Sequence, residues 1–91
     1  MIELGGNIKL LNFEAVEPAL LIVVKKIVGN YTKKISEKVS SFKEIEVSLE
    51  IKSMNTITVK VHAEQTYETE AKDENLFFAL DKALSIVLSN L

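Results

Sequence analysis

The chain contains no cysteine, no arginine and no tryptophan. Without cysteine there are no disulfides, thiolate metal sites or cysteine nucleophiles, and a reducing cytoplasm suits such a chain. A single histidine excludes every multi-histidine metal cluster within one monomer. Glycine and proline together supply four residues, too few for a fibrous or disordered polymer. No apolar run reaches the roughly 18 residues of a membrane span, and Met1-Ile2-Glu3 lacks the basic, then apolar, start of a secretion signal. What remains is 91 residues, 47% hydrophobic and 26% charged, enough for one small domain over 1–91.

Charge is unevenly placed. Lysine supplies all eleven basic residues. Residues 1–43 carry seven lysines against four glutamates, whereas residues 44–91 carry four lysines against nine acids. The formal total is −2, which gives no general attraction to nucleic acid, and the missing arginines remove bidentate phosphate clamps. Any phosphate contact must come from a local lysine patch.

Asn7 to Phe13 reads as a first strand after a Gly5-Gly6-Asn7 turn that sets off a lead-in, Met1–Leu4. Ile8 and Leu10 point one way, Leu11 and Phe13 the other. Glu17-Pro18 opens a helix, since proline at the first position loses no hydrogen bond. Leu20, Val24, Ile27, Val28, Tyr31, Ile35 and Val39 form its apolar stripe. Ile22, Lys25, Lys26, Gly29, Lys33 and Ser36 fall opposite. Gly29-Asn30 weakens its middle, yet the stripe resumes in phase, so one helix, bent at most, is expected to fray over 39–42.

Lys43 to Lys52 alternates clearly: Ile45, Val47, Leu49 and Ile51 against Glu44, Glu46, Ser48 and Glu50. A turn at Ser53-Met54-Asn55 leads to Ile57, Val59, Val61 and Ala63, and a second at Gln65-Thr66 leads to Tyr67, Thr69 and Ala71. Asp73 is the expected amino cap of a last helix with the stripe Leu76, Leu80, Ala83, Leu84, Val87 and Leu91, widened by Phe77 and Leu88. The order β-α-β-β-β-α predicts an α/β two-layer sandwich. Its four-stranded mixed sheet, in strand order 1-2-3-4, carries both helices on one face.

Three segments within this order resemble the ribosome hibernation-promoting factor family, also called ribosome-associated inhibitors. Asn12-Phe13-Glu14-Ala15-Val16-Glu17-Pro18-Ala19-Leu20 is similar to the family's loop into a helix beginning Thr-Pro-Ala-Leu, with one extra residue before Pro18. Thr58-Val59-Lys60-Val61, continuing through Tyr67-Glu68-Thr69-Glu70-Ala71, is similar to two of its strands. Leu76-Phe77-Phe78-Ala79-Leu80-Asp81 resembles its Leu-Tyr-Ala-Ala-Ile-Asp helix start. The resemblance implies a non-catalytic, cytoplasmic protein that binds the small ribosomal subunit where messenger and transfer RNA lie, keeping idle ribosomes inactive. It also implies that basic residues on the helices meet ribosomal RNA. Lys25 and Lys26 fit that pattern, while the family's late basic positions on the second helix are Ile86 and Ser89 here, leaving Lys82.

The candidate RNA contacts are therefore Lys25, Lys26, Lys33, Lys34 and Lys82, with Lys38 at the margin; ammonium groups along three to four turns can track phosphates and make binding salt-sensitive. The plainer alternative is a solvated helix face. Glu44, Glu46, Glu50, Glu64, Glu68 and Glu70 are expected on the outer sheet face, diluted by Lys52 and Lys60. They read as solvated charge or a surface for a basic partner. His62 stands beside them with no nucleophile arrangement. Gly5-Gly6-Asn7 lacks the lysine and following helix of a phosphate loop.

Ile22, Phe78 and Ile86 exceed what one sheet-facing stripe accommodates, and suggest a homodimer or another protein partner. No enzyme, cofactor, metal or small-molecule substrate is expected. The alternative to ribosome binding is a homo-oligomeric interaction domain with the same fold.

Overall fold

Alternation builds the sheet. In the computed structural model, which describes residues 1–91, Ile45, Val47 and Leu49 of β3 (Glu44–Ile51) are buried, while Glu44, Glu46 and Ser48 between them are only partly covered. The same division runs through Ile57, Val59 and Val61 of β4 (Asn55–His62). β5 (Thr66–Asp73) buries only Ala71 fully, as befits an edge strand. Each fully buried Val, Leu or Ile side chain stabilises the fold by about 1.5–3 kcal/mol relative to exposure.

The sheet has five strands, not the expected four. Gly5 and Gly6 both take positive φ, +60° and +77°, and reverse the chain so that β1 (Ile2–Leu4) pairs antiparallel with β2 (Ile8–Leu11). Three residues are too short for alternation to reveal a strand. The spatial order is β1-β2-β3-β4-β5, with β2 and β3 parallel and every other pair antiparallel.

Both helices cover the apolar face. α1 (Pro18–Lys38) and α2 (Leu76–Ser89) contribute Val24, Val28, Ile35, Leu80, Leu84 and Val87 to one core with the inward sheet residues. α1 runs unbroken through Gly29. Thr32 is buried within it because its hydroxyl donates to the Val28 carbonyl at 2.7 Å, a polar position that the apolar stripe does not mark.

Tyr31 Oη donates to Asp81 Oδ1 at 2.7 Å, and Lys38 Nζ donates to the Leu88 carbonyl at 3.4 Å. Both contacts span 50 residues, so the two helices run parallel.

Four expectations fail locally. Phe13 is fully buried rather than opposite the core, because Asn12 takes φ 66° and swings it under the helices. Leu20 is 40% exposed, since the 50-residue offset places the start of α2 alongside residue 26 and leaves the first turns of α1 unflanked. Ile51, at the hairpin end beside Lys52-Ser53-Met54, is 68% exposed. The amino cap of α2 is Asn75, whose side chain accepts from the Phe77 and Phe78 amides. Asp73 ends β5 and accepts from the Asn75 amide instead, bracing the cap.

Candidate nucleic-acid interface

A residue pair seven apart on a helix returns to nearly the same face about 10 Å along the axis. Lys26 and Lys33 are such a pair, and both are exposed on α1. Lys34 is exposed too, its ammonium 5.6 Å from the centroid of the Tyr31 ring. Lys82 is exposed on α2. Lys25 departs from the expected outward position: it is half-buried, one step round the helix from buried Val24.

None of Lys25, Lys26, Lys33, Lys34, Lys38 and Lys82 joins an ion pair. The structure thus gathers Lys26, Lys33 and Lys34 on the outer side of α1 with their charge uncompensated and sets Lys82 apart on the neighbouring helix. Lys38 is held by its bond to the end of α2.

The opposite face of the sheet is organised differently. One row across all five strands reads Glu3, Lys9, Glu46, Lys60, Glu68, alternating in sign at every step. Lys9 Nζ lies 3.2 Å from Glu44 Oε2, and Lys52 Nζ lies 2.8 Å from Glu50 Oε1. The Glu50 carboxylate, with Glu70 beyond it, holds Lys52 above the usual lysine range. A shallow polar groove of about 320 Å³ runs between Glu50, Lys52, Thr58, Lys60, Glu70 and Lys72. The expected acidic surface is therefore a mixed-charge one, and Glu64 sits off it in the β4–β5 loop.

His62 is not isolated. Its Nε2 lies 2.8 Å from Glu46 Oε1, and Glu44 completes a cluster with them. The alternating pattern marks each residue but not their convergence, which needs the β3–β4 register. The side-chain partner of His62 is the Glu46 carboxylate and no serine hydroxyl, while the hydroxyls of Ser36, Ser85 and Ser89 donate to helix carbonyls three residues earlier.

The three apolar candidates do not form one patch. Ile22 lies nine residues from Tyr31, about half a turn round α1 from the side facing α2. Phe78 lies about 60° round α2 from Asp81, and Ile86 about 140° in the same sense. Ile22 and Ile86 thus sit on opposite flanks of the helix layer, with Phe78 between them, and all three are exposed.

A ribosomal subunit interface protein from Coxiella burnetii superposes on the chain with a TM-score of 0.71, covering 93% of this chain and 92% of that one at 13% identity. The N-terminal domain of Thermus thermophilus Protein Y gives 0.66, covering 91% and 90% at 14% identity. The chain shares their fold. The two-layer topology with paired helices over a mixed sheet is thus shared with a ribosomal subunit interface protein and with the Protein Y domain, and it is the fold that the sequence resemblance implied. No protein-family model and no curated protein matches the sequence. No helix is long and apolar enough to cross a membrane.

Proposed function

We propose that the chain is a non-catalytic ribosome-associated protein that binds RNA of the small subunit through the outer face of α1 and inhibits or protects idle ribosomes. One observation carries this reading: Lys26, Lys33 and Lys34 are exposed without carboxylate partners, whereas Lys9 and Lys52 on the sheet face are ion-paired. Unpaired ammonium groups on a rigid helix can neutralise successive phosphates and release their counterions. The fold shared with a ribosomal subunit interface protein and with Protein Y supports the same reading. Lys25 and Lys82 lie at the margins of this surface.

The test is co-sedimentation with purified small subunits over a salt series. Lys26, Lys33 and Lys34 changed together to glutamine should weaken binding and flatten its dependence on log salt by about 0.7–0.9 for each phosphate left unneutralised. A folded triple variant that sediments with subunits as the wild type does would remove the assignment.

A second reading, a homo-oligomeric interaction domain, draws on the exposed Ile22, Phe78 and Ile86. Their spread across the helix layer favours Phe78, 64% exposed and central, as its anchor.

A further inference from the structure

Residues two apart on a strand share a face, and directly opposed residues of an antiparallel pair hold their Cβ atoms about 4.5–5.5 Å apart. Glu44 and Glu46 are two apart on β3, and His62 of β4 is the direct partner of Glu44. The register alone therefore brings two carboxylates and the chain's sole imidazole to one spot. Their ligand atoms all lie within 4.8 Å of one another.

The Glu46 and His62 atoms are already 2.8 Å apart. Two donors bound to one ion at about 2.1 Å stand roughly 3.0–3.4 Å from each other, so this pair has the spacing of a chelate and Glu44 needs only a short movement. The side chains are also partly withdrawn from water. Glu44 and Glu46 are 27% exposed and His62 is 32%, against 60% for Glu50 on the same face. Strand-borne ligands hold their geometry better than ligands on loops.

We propose that Glu44, Glu46 and His62 form a binding site for a divalent transition-metal ion, with zinc(II) the occupant this donor set suits best. Two carboxylates balance the ion's charge, and the imidazole favours zinc over magnesium or calcium, which prefer oxygen alone. Three protein ligands leave a fourth position to water. The chain has no thiolate and no second imidazole, so no other place offers zinc either of those ligands. The site lies on the sheet face turned away from α1 and is independent of the RNA reading.

Lys9 works against the ion. Its ammonium sits 3.2 Å from Glu44 Oε2, so metal binding must release that pair, and the repulsion limits affinity. This opposition separates a metal site from a closed set of ion pairs that only staples β2, β3 and β4. In a metal site, Lys9→Gln frees a ligand and tightens binding several-fold; in a staple it has nothing to tighten.

The experiment is titration of the whole chain with zinc chloride, followed by calorimetry and by the ring resonances of the single histidine, with magnesium chloride as control. Expected are one ion per chain, a saturable shift of the His62 ring, at least tenfold weaker binding in His62→Ala, and tighter binding in Lys9→Gln. Any of three results would overturn the proposal: an unmoved His62 ring at millimolar zinc, wild-type affinity in a folded His62→Ala, or magnesium binding as tightly as zinc. The ring titration uses the wild-type chain, so it decides even if His62→Ala fails to fold.

Discussion

Tyr31 joins the helices through a single hydroxyl, and its titration reports on that joint. Burial, then the bond to Asp81, pushes its phenol up to about 12. The free phenol titrates near 10. Below pH 10 the group is protonated in both states, and its contribution to stability is fully present. Between pH 10 and 12 the unfolded chain loses the proton first, binds fewer protons than the native state, and stability falls as pH rises. Urea midpoints measured from pH 9 to 11.5 should therefore fall more steeply for the wild type than for Tyr31→Phe. Parallel slopes would show that the Tyr31–Asp81 bond does not hold the phenol protonated.

At the scale of the element, Gly29 is the weak point of α1. A Cβ there would meet nothing within 4 Å, and the residue sits in an unbroken helix. Gly29→Ala should raise stability by about 0.5–1 kcal/mol, mainly by narrowing the unfolded ensemble. An unchanged or lower urea midpoint would contradict this.

The same scale explains what the sequence made legible. β3, β4 and the stripe of α2 were readable because their period and their burial coincide: Ile45, Val47, Ile57, Val59, Leu80 and Leu84 lie in the core as their spacing requires. Phe13, Leu20 and Ile51 were misplaced because their surroundings depend on one positive φ at Asn12, on where α2 begins, and on where the helices stop covering the sheet. Period carries none of these. The lysines of α1 were visible as a face, yet their freedom from carboxylates was not, since Glu37, four residues after Lys33, was available as a partner by spacing alone. The meeting of Glu44 and Glu46 with His62 likewise waits on strand register.

Over the whole molecule, the two faces treat charge in opposite ways. The sheet face is zipped by alternating cross-strand signs, while the helix face combines free lysines with bare hydrocarbon at Ile22 and Phe78. Because Phe78 is 64% exposed, Phe78→Lys should keep the far-UV spectrum and change stability by no more than about 0.5 kcal/mol. In sedimentation equilibrium the wild type should gain mass with concentration and the variant should gain less, as burial of an apolar anchor in a like surface requires. Identical masses at every concentration would remove Phe78 from any self-association, and an unfolded variant would mean that it supports the core.

The lone parallel pairing in the sheet also has a consequence in time. β3, β4 and β5 are joined by hairpins at Lys52-Ser53-Met54 and Ala63-Glu64-Gln65, so each finds its neighbour at once. β2 reaches β3 only after the whole of α1 has been laid down between them. Closing that long loop costs entropy before any pairing offsets it, so β2 with its β1 hairpin should dock last in folding and lift off first in native fluctuations. Hydrogen exchange should then find the Lys9 amide, which faces β3, opening at lower free energy than Val59 in the middle of β4. Equal protection at the two would mean that the sheet opens only as a unit.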